Sequence, residues 1–539
     1  MYDYIIVGAG AAGCVLANRL SADPGCRVLL LEAGPTDRRR EIHIPAAFSR
    51  LFRSSLDWGY ETEPEPALNG RQLYWPRGKV LGGSTSINAM IYQRGHSAIY
   101  DQWAAAGNPH WRYADILPYF KRAENQTRVR DEYHGVDGPM NIVDPREPNP
   151  LSRAFVYAGM AAGLRSNPDF NGAAQEGVGF YQLMQRDGQR QSAAAAYLKP
   201  ILDRPNLTII TRAQAMRILF TGKQAVGILY HKDGCLHDAR AHHEVILSSG
   251  AINSPQLLLL SGIGPAESLR QQGIQPLVDL PGVGQNLQDH LALGVIWACP
   301  EPVSLAEADS TWQLLRYLTL RQGPLASNLA EAGGFVRTQP GYAAPDLQFH
   351  FVPGYFRNHG FDQFDGHCFT LAPTLVRVVS TGAISLRSAN PQHAPIIQAN
   401  YLSDPSEMAT LVAGVRLARE IIAGAAFDPY RGPELHPGPA SQSVGELEAF
   451  VRQHVQTLYH PVGTCKMGQD PQAVVDAELR VHGVMGLRVI DASIMPTIVN
   501  ANTHAPTVMI AEKGADMIRQ RTAIARIPEP VTLDLIQAG

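Results

Sequence analysis

The chain has 539 residues, more than one compact core holds, so two or more structural units are expected. Hydrophobic residues make up 45% and charged residues 18%, ordinary for a globular protein, and a net charge of −3 without a basic tail excludes an electrostatic nucleic-acid binder. With 49 glycines and 39 prolines, no repeat and no apolar run of bilayer length, the chain reads as a loop-rich α/β protein without a membrane span.

The first predicted element is a strand, Tyr2-Asp3-Tyr4-Ile5-Ile6-Val7. It starts almost at the first residue, so no signal peptide is expected and the chain reads as cytoplasmic. Loose contact with a membrane surface is compatible with the same composition. The six cysteines, at 14, 26, 235, 299, 368 and 465, form no CxxC pair and no metal-ligand spacing with histidine. They are expected as free thiols, without a metal.

After the strand comes Gly8-Ala9-Gly10-Ala11-Ala12-Gly13, then a helix carrying Val15, Leu16 and Leu20 on one side. A second strand, Arg27 to Leu31, ends in Glu32 and Ala33. This is the spacing of a βαβ unit that binds a dinucleotide. One glycine makes the tight turn, one leaves room for a pyrophosphate, and one lets helix and strand pack closely. Amides at the helix start face the phosphates, and Glu32 can accept from both ribose hydroxyls while repelling a 2′-phosphate. The alternative is a glycine-rich turn that holds nothing. The pattern alone does not separate FAD from NAD.

Further on, Gly82-Gly83 lets backbone amides approach oxygens without a Cβ in the way. Asn206 to Ile210 is a predicted strand leading to Thr211-Arg212-Ala213-Gln214-Ala215. Asp346 to Val352 alternates Leu347, Phe349 and Phe351 against Gln348, His350 and Val352, the pattern of a strand with two faces. The aromatic segment Tyr355 to Phe361 is expected near an entrance and hints at an apolar or aromatic ligand. A helical stretch from Val444 to Leu458 precedes His460, which is followed by a Pro-Val-Gly turn. The strand Leu487 to Ile490 ends in Asp491, a position that suits either a ligand contact or a cap. His504 comes just before a helix expected to start near Pro506. Imidazole suits proton transfer because its ordinary pKa, about 6.5, lies close to working pH.

Three long segments carry a family resemblance. They are Arg77-Gly78-Lys79-Val80-Leu81-Gly82-Gly83-Ser84-Thr85-Ser86-Ile87-Asn88, the run from Gly250-Ala251-Ile252-Asn253 to Ser261-Gly262-Ile263-Gly264, and Tyr459-His460-Pro461-Val462-Gly463-Thr464-Cys465-Lys466-Met467-Gly468. They resemble the two signature segments and the catalytic-histidine segment of glucose–methanol–choline (GMC) oxidoreductases. They occur in the family's order, and the resemblance runs from residue 1 to about 520, nearest the choline-dehydrogenase-like bacterial branch.

The resemblance implies FAD as cofactor. Some family members link FAD through a histidine just before the asparagine of the first segment; here that position is Ile87, so non-covalent FAD is expected. Besides the first glycine loop, with Glu32 and Ala33, the implied cofactor contacts are Arg77, Gly78, Val80, Gly82, Gly83, Ser84, Asn88 and Ala89. Ala215 would meet adenine through its backbone, and Asp491, Ala492, His504, Pro506 and Thr507 complete the set. The helix start after His504 would face the flavin's pyrimidine edge with its positive dipole end.

His460 and His504 are the implied catalytic pair, with His460 accepting the hydroxyl proton and His504 donating a hydrogen bond to the substrate oxygen. The reverse assignment stays open, since the two would titrate together. Choline-type relatives commonly carry asparagine at the second position and glucose-oxidase-type relatives histidine. Phe349 and Phe351, on one strand face, together with Tyr459 and His460, are taken as substrate contacts, with core packing of that face and an incidental His350 as the alternative. His290, in the segment Pro281 to His290 that closes a cofactor-domain boundary, reads as structural.

The implied fold is a Rossmann-like α/β FAD-binding domain with a second α+β substrate domain on an antiparallel sheet. The FAD domain is expected at residues 1–155, 195–298 and 456–525, the substrate domain at 156–194 and 299–455, and a C-terminal tail at 526–539. The implied activity is oxidation of a primary alcohol to an aldehyde, with O2 or a quinone-like carrier as electron acceptor. The alternatives are a non-redox, hydroxynitrile-lyase-like enzyme on the same FAD scaffold, and a FAD-binding redox sensor.

Overall fold

Apolar runs short enough to be strands build the first sheet. Tyr2–Val7 (β1) and Val28–Leu31 (β2) pair in parallel, flanking Ala11–Leu20 (α1) in sequence, and β2 pairs in parallel with Leu207–Ile210 (β3). Residues 28 to 31 are buried on both faces, as a parallel sheet covered by helices requires. The long strand Cys235–Leu247 (β4) does two jobs: Gly227–Lys232 pairs antiparallel with its first half, and its second half pairs in parallel with β1. Leu487–Val489 (β5) returns late in the chain to lie beside β4.

The computed structural model describes residues 1–308 and 310–525; the expected tail at 526–539 lies outside them. Among the described residues no helix is long and apolar enough to cross a membrane. The fold is α/β, with an eight-stranded antiparallel sheet as its second body. That sheet includes Val295–Ala298, Ala332–Val336, Leu347–Val352 and Cys368–Leu375.

Phe349 and Phe351 do not reach a ligand space. Both are fully buried in the core under the second sheet, where the ring of Phe351 lies 5.0 Å from that of Phe155 and 6.0 Å from that of Phe427. The helix Pro405–Ile422, started by Asp404 accepting from the Ser406 amide, covers the same side. The physical reason is ordinary: the apolar face of a strand with polar alternates goes to the core, and His350 and Val352 are left facing the cavity described below.

A buried charge cluster ties the segments around residues 94, 124, 134 and 169 together. Arg94 pairs with Glu124, while His134 holds Glu124 Oε1 at 3.1 Å and Asp169 Oδ2 at 2.9 Å. Burial lowers the His134 pKa, but the two carboxylates overcome it and hold it at about 9. An imidazolium there adds stability that is complete below the ordinary value of about 6.5 and is lost as pH rises through about 9. His134→Asn is therefore expected to lower the melting temperature more at pH 6 than at pH 10, read by thermal shift at both.

Candidate active site

Two glycine loops meet at the carboxyl end of β1. Gly8 turns at φ 100, where a Cβ would sit 2.6 Å from the Ser248 carbonyl oxygen. A Cβ on Gly13 would lie 1.8 Å from the Gly8 oxygen, so helix α1 seats directly on the turn. The second loop touches the first: the Gly82 amide donates to the Ala9 carbonyl at 2.8 Å, and a Cβ on Gly83, at φ 53, would come within 2.7 Å of Gly10 Cα. Gly10 differs from the others, because a Cβ there meets nothing within 4 Å. Glu32 Oε2 accepts from the Ala9 amide at 3.0 Å and Oε1 from the Gly34 amide at 2.8 Å; burial raises its pKa to about 7 against these bonds.

A single cavity of about 380 Å³ is lined by Gly10, Glu32, Ser84 and Asn88 as well as by His460 and His504. The donor set suits a long dinucleotide with a polar ring. Asn88 is oriented for it: its Oδ1 accepts from Arg190 at 2.6 Å and from the Met90 amide at 3.1 Å, leaving its amino group to donate toward the cavity. Ile87, the position read for covalent attachment, also lines the cavity and offers only hydrocarbon.

His460 is fixed from several sides. Tyr459 before it sits at φ 68, a left-handed conformation that costs a bulky residue about 1–3 kcal/mol. Arg77 donates to the Tyr459 carbonyl at 2.5 Å, and the Tyr459 amide donates to Thr457 Oγ1 at 2.8 Å. The His460 amide donates to Asp289 Oδ1 at 2.7 Å. Its ring Nδ1 lies 2.9 Å from His290 Nδ1, and its Nε2 lies 3.3 Å from Asn502 Nδ2. Burial, then His290, His350 and Arg77, push its pKa well below the usual imidazole range.

His504 opens the helix His504–Ala525, two residues earlier than the sequence reading, with Pro506 inside the first turn. Both of its ring nitrogens are shielded from solvent and find no hydrogen-bond partner among the described residues. So do His350 Nε2 and Asn328 Oδ1, which belong to residues lining the same cavity. Each such orphan costs about 1–3 kcal/mol, and all four belong to residues that line one cavity, as expected of a site that a polar ligand completes. Burial, then Arg190, lowers the His504 pKa to about 4, and burial lowers that of His350 to about 3. These imidazoles are neutral at pH 7.

Most residues read from sequence line this cavity: Gly8, Gly10, Ala11, Ala12, Glu32, Ala33, Arg77, Gly78, Gly83, Ser84, Asn88, Ala89, Ala215, Asp491, Ala492, His504, Thr507, Tyr459 and His460. Gly13, Val80, Gly82 and Pro506 stand behind the lining, where Gly13 and Gly82 serve loop packing and Val80 is buried beside Ile87 and Tyr74. The Asp491 carboxylate is used inside the protein: it accepts from the Gly250 amide at 2.9 Å, from Ser254 at 2.6 Å, and from the Ser493 amide and hydroxyl. The capping alternative accounts for that side chain. Arg190 and Asn502 are not singled out by the sequence, while His290 reads there as structural and His350 as a polar alternate of the strand Asp346 to Val352.

Family models described as GMC oxidoreductase match residues 2–292 and 378–511. An alcohol dehydrogenase [acceptor] from Pseudomonas putida is 48% identical over 536 residues, covering 98% of this chain and 97% of that one. The mitochondrial choline dehydrogenase of Mus musculus is 47% identical, covering 99% and 92%. The crystal structure of pyridoxine 4-oxidase from Mesorbium loti superposes with a TM-score of 0.89 at 34% identity, over 96% of this chain and 99% of that one.

Proposed function

The chain belongs to the GMC oxidoreductase family, and from that premise we propose that it oxidises an uncharged primary alcohol to the aldehyde with His460 as the proton acceptor. It is a FAD-dependent oxidoreductase acting on CH–OH donors. The observation that carries the finer reading is that two neutral imidazoles, His460 and His504, line the same cavity as both glycine loops and Glu32.

Gly10, Glu32 and the loop at Gly83 would hold the nucleotide half of FAD, and Asn88 with the start of the helix at His504 the flavin half. When bound, FAD would supply the two-electron acceptor for the hydride of the carbinol carbon. His460 takes the hydroxyl proton on its cavity-side nitrogen, and a neutral base at pH 7 is ready to do so. His504 donates its ring N–H to the substrate oxygen and leaves the protonated role to His460. Tyr459 and Phe356 supply apolar walls. On this reading residues 1–155, 195–298 and 456–525 carry the FAD half, and 156–194 with 299–455 the substrate half.

The charges of the lining support an uncharged substrate. Among the described residues its carboxylates are Glu32, at the nucleotide end, and Asp491, whose oxygens are already taken. Arg357 is the permanent charge on the lining contributed by the aromatic segment. A quaternary ammonium would leave water with no free carboxylate among the described lining residues, beside an Arg357 already paired with Asp362 at 3.5 Å. Choline is therefore expected to show kcat/KM at least about 100-fold below that of an apolar or aromatic primary alcohol, a difference of roughly 2.7 kcal/mol in transition-state binding. An alcohol panel, run in air and with an artificial quinone-like acceptor while scoring peroxide and aldehyde, measures this and assigns the acceptor. Choline leading the panel would overturn the substrate reading.

FAD is held without a covalent bond at Ile87. Acid precipitation of the holoenzyme is expected to leave the yellow colour in the supernatant; colour in the pellet would contradict it.

A further inference from the structure

We propose that His290 is a positioning residue that holds the lone pair of His460 on the nitrogen beside the cavity. The proposal rests on the reading of His460 as the base.

The two Nδ1 atoms lie 2.9 Å apart, with the rings 5.2 Å between centroids at 83°. Nitrogens that close share one proton: one donates and the other accepts. The opposite nitrogen of His460, Nε2, lies 3.3 Å from Asn502 Nδ2. An amide nitrogen only donates, and the orientation of Asn502 is set by Gln348 donating to its Oδ1 at 3.2 Å. Nε2 therefore carries the lone pair, the ring proton of His460 sits on Nδ1, and His290 Nδ1 accepts it. That places the proton of His290 on its own Nε2.

The two histidines have different surroundings. His460 and Asn502 line the cavity, whereas His290 is absent from its lining and has 0% exposure. Asp289 fixes the geometry from the adjacent position: its Oδ1 accepts from the His460 amide, and its Oδ2 accepts from Tyr401 and Thr457 at 2.5 Å each. The titratable and charged groups facing the pair are His350, Asp289 and Arg77. Burial and His350 keep His290 neutral, with a pKa of about 3, so it offers a lone pair and no competing charge.

In the proton step the substrate O–H bond breaks and its electron pair stays on the substrate oxygen. The proton bonds to the lone pair of His460 Nε2, which gives up the hydrogen bond it accepts from Asn502 Nδ2. The imidazolium then carries two N–H groups, and the one on Nδ1 remains donated to His290, which neither gains nor loses a proton. The Nδ1–H donated to His290 fixes the tautomer of His460 and keeps its lone pair on Nε2, the productive side.

The test compares His290→Leu and His290→Asn in the FAD-loaded enzyme, with flavin absorbance and thermal shift reporting the fold. Leucine offers no acceptor, so kcat is expected to fall about 100-fold with KM and flavin content near wild type. Asparagine places Oδ1 near the position of Nδ1, and is expected to recover most of the rate. Equal losses in both variants, or a wild-type rate in His290→Leu, would overturn the proposal. If neither variant folds with FAD, the ¹⁵N imidazole spectrum of the histidine-labelled wild-type holoenzyme decides, with His460→Ala identifying the resonances. A Nδ1–H tautomer for His460 supports the proposal and a Nε2–H tautomer overturns it. Active His460→Ala would remove the base assignment itself; inactive His460→Ala with fully active His290→Leu would remove only this inference.

Discussion

Replacing His460 with alanine is expected to lower kcat about 10³-fold while FAD stays bound, because a positioned general base contributes roughly 10²–10⁴-fold. The ring is held by contacts that do not involve the nucleotide loops: the Asp289 carboxylate, the strained turn at Tyr459 and the Arg77 bond to the Tyr459 carbonyl. Its removal should therefore leave the flavin spectrum and the melting temperature close to wild type. The wild-type pH profile follows from the same burial. Since the His460 pKa is pushed below the ordinary range, the neutral base persists as pH falls, and the acid limb of kcat/KM belongs below about 6.5. Steady-state rates across pH with the best alcohol of the panel check both statements. An acid limb above neutrality would mean that a different group takes the proton.

Gly10→Val is expected to give a folded, colourless and inactive protein, with FAD affinity reduced at least about 100-fold, or roughly 2.7 kcal/mol. The backbone at Gly10 is extended, φ −78 and ψ −158, which valine adopts without strain, and a Cβ there meets no protein atom within 4 Å. The space it would fill is cavity, next to the amides at the start of α1. Gly8→Val supplies the contrast. Its positive φ and its 2.6 Å approach to the Ser248 carbonyl predict that folding fails along with binding. Thermal shift and flavin content of the two variants separate ligand room from packing. A yellow Gly10→Val protein would mean that the nucleotide does not pass this loop.

How much of this was legible in the amino-acid order depends on range. The unit from Tyr2 to Glu32 was legible because strand, turn, helix and acid are set by local spacing, and the strands and helix form with boundaries within a residue or two of that reading. The two histidines that line the cavity stood out through long local segments around His460 and His504. The strand Leu347–Val352 is legible, but of the two readings of its aromatic face the structure supports core packing over substrate contact. Both faces are buried, one by the helix Pro405–Ile422 and its aromatic core and one by the cavity, so alternation gave the strand without telling which side was which. The contacts of His290 and Arg190 were illegible for another reason. One approaches His460 from 170 positions away and the other Asn88 from 102 positions away, and only the assembled fold supplies those contacts.

The most direct test is anaerobic mixing of the purified holoenzyme with its best primary alcohol, recording flavin absorbance and aldehyde together. The wild-type protein should bleach with one aldehyde formed per flavin, and His460→Ala should stay yellow over the same interval. Wild-type protein that keeps its colour while bound to alcohol would contradict the redox role assigned to the cavity.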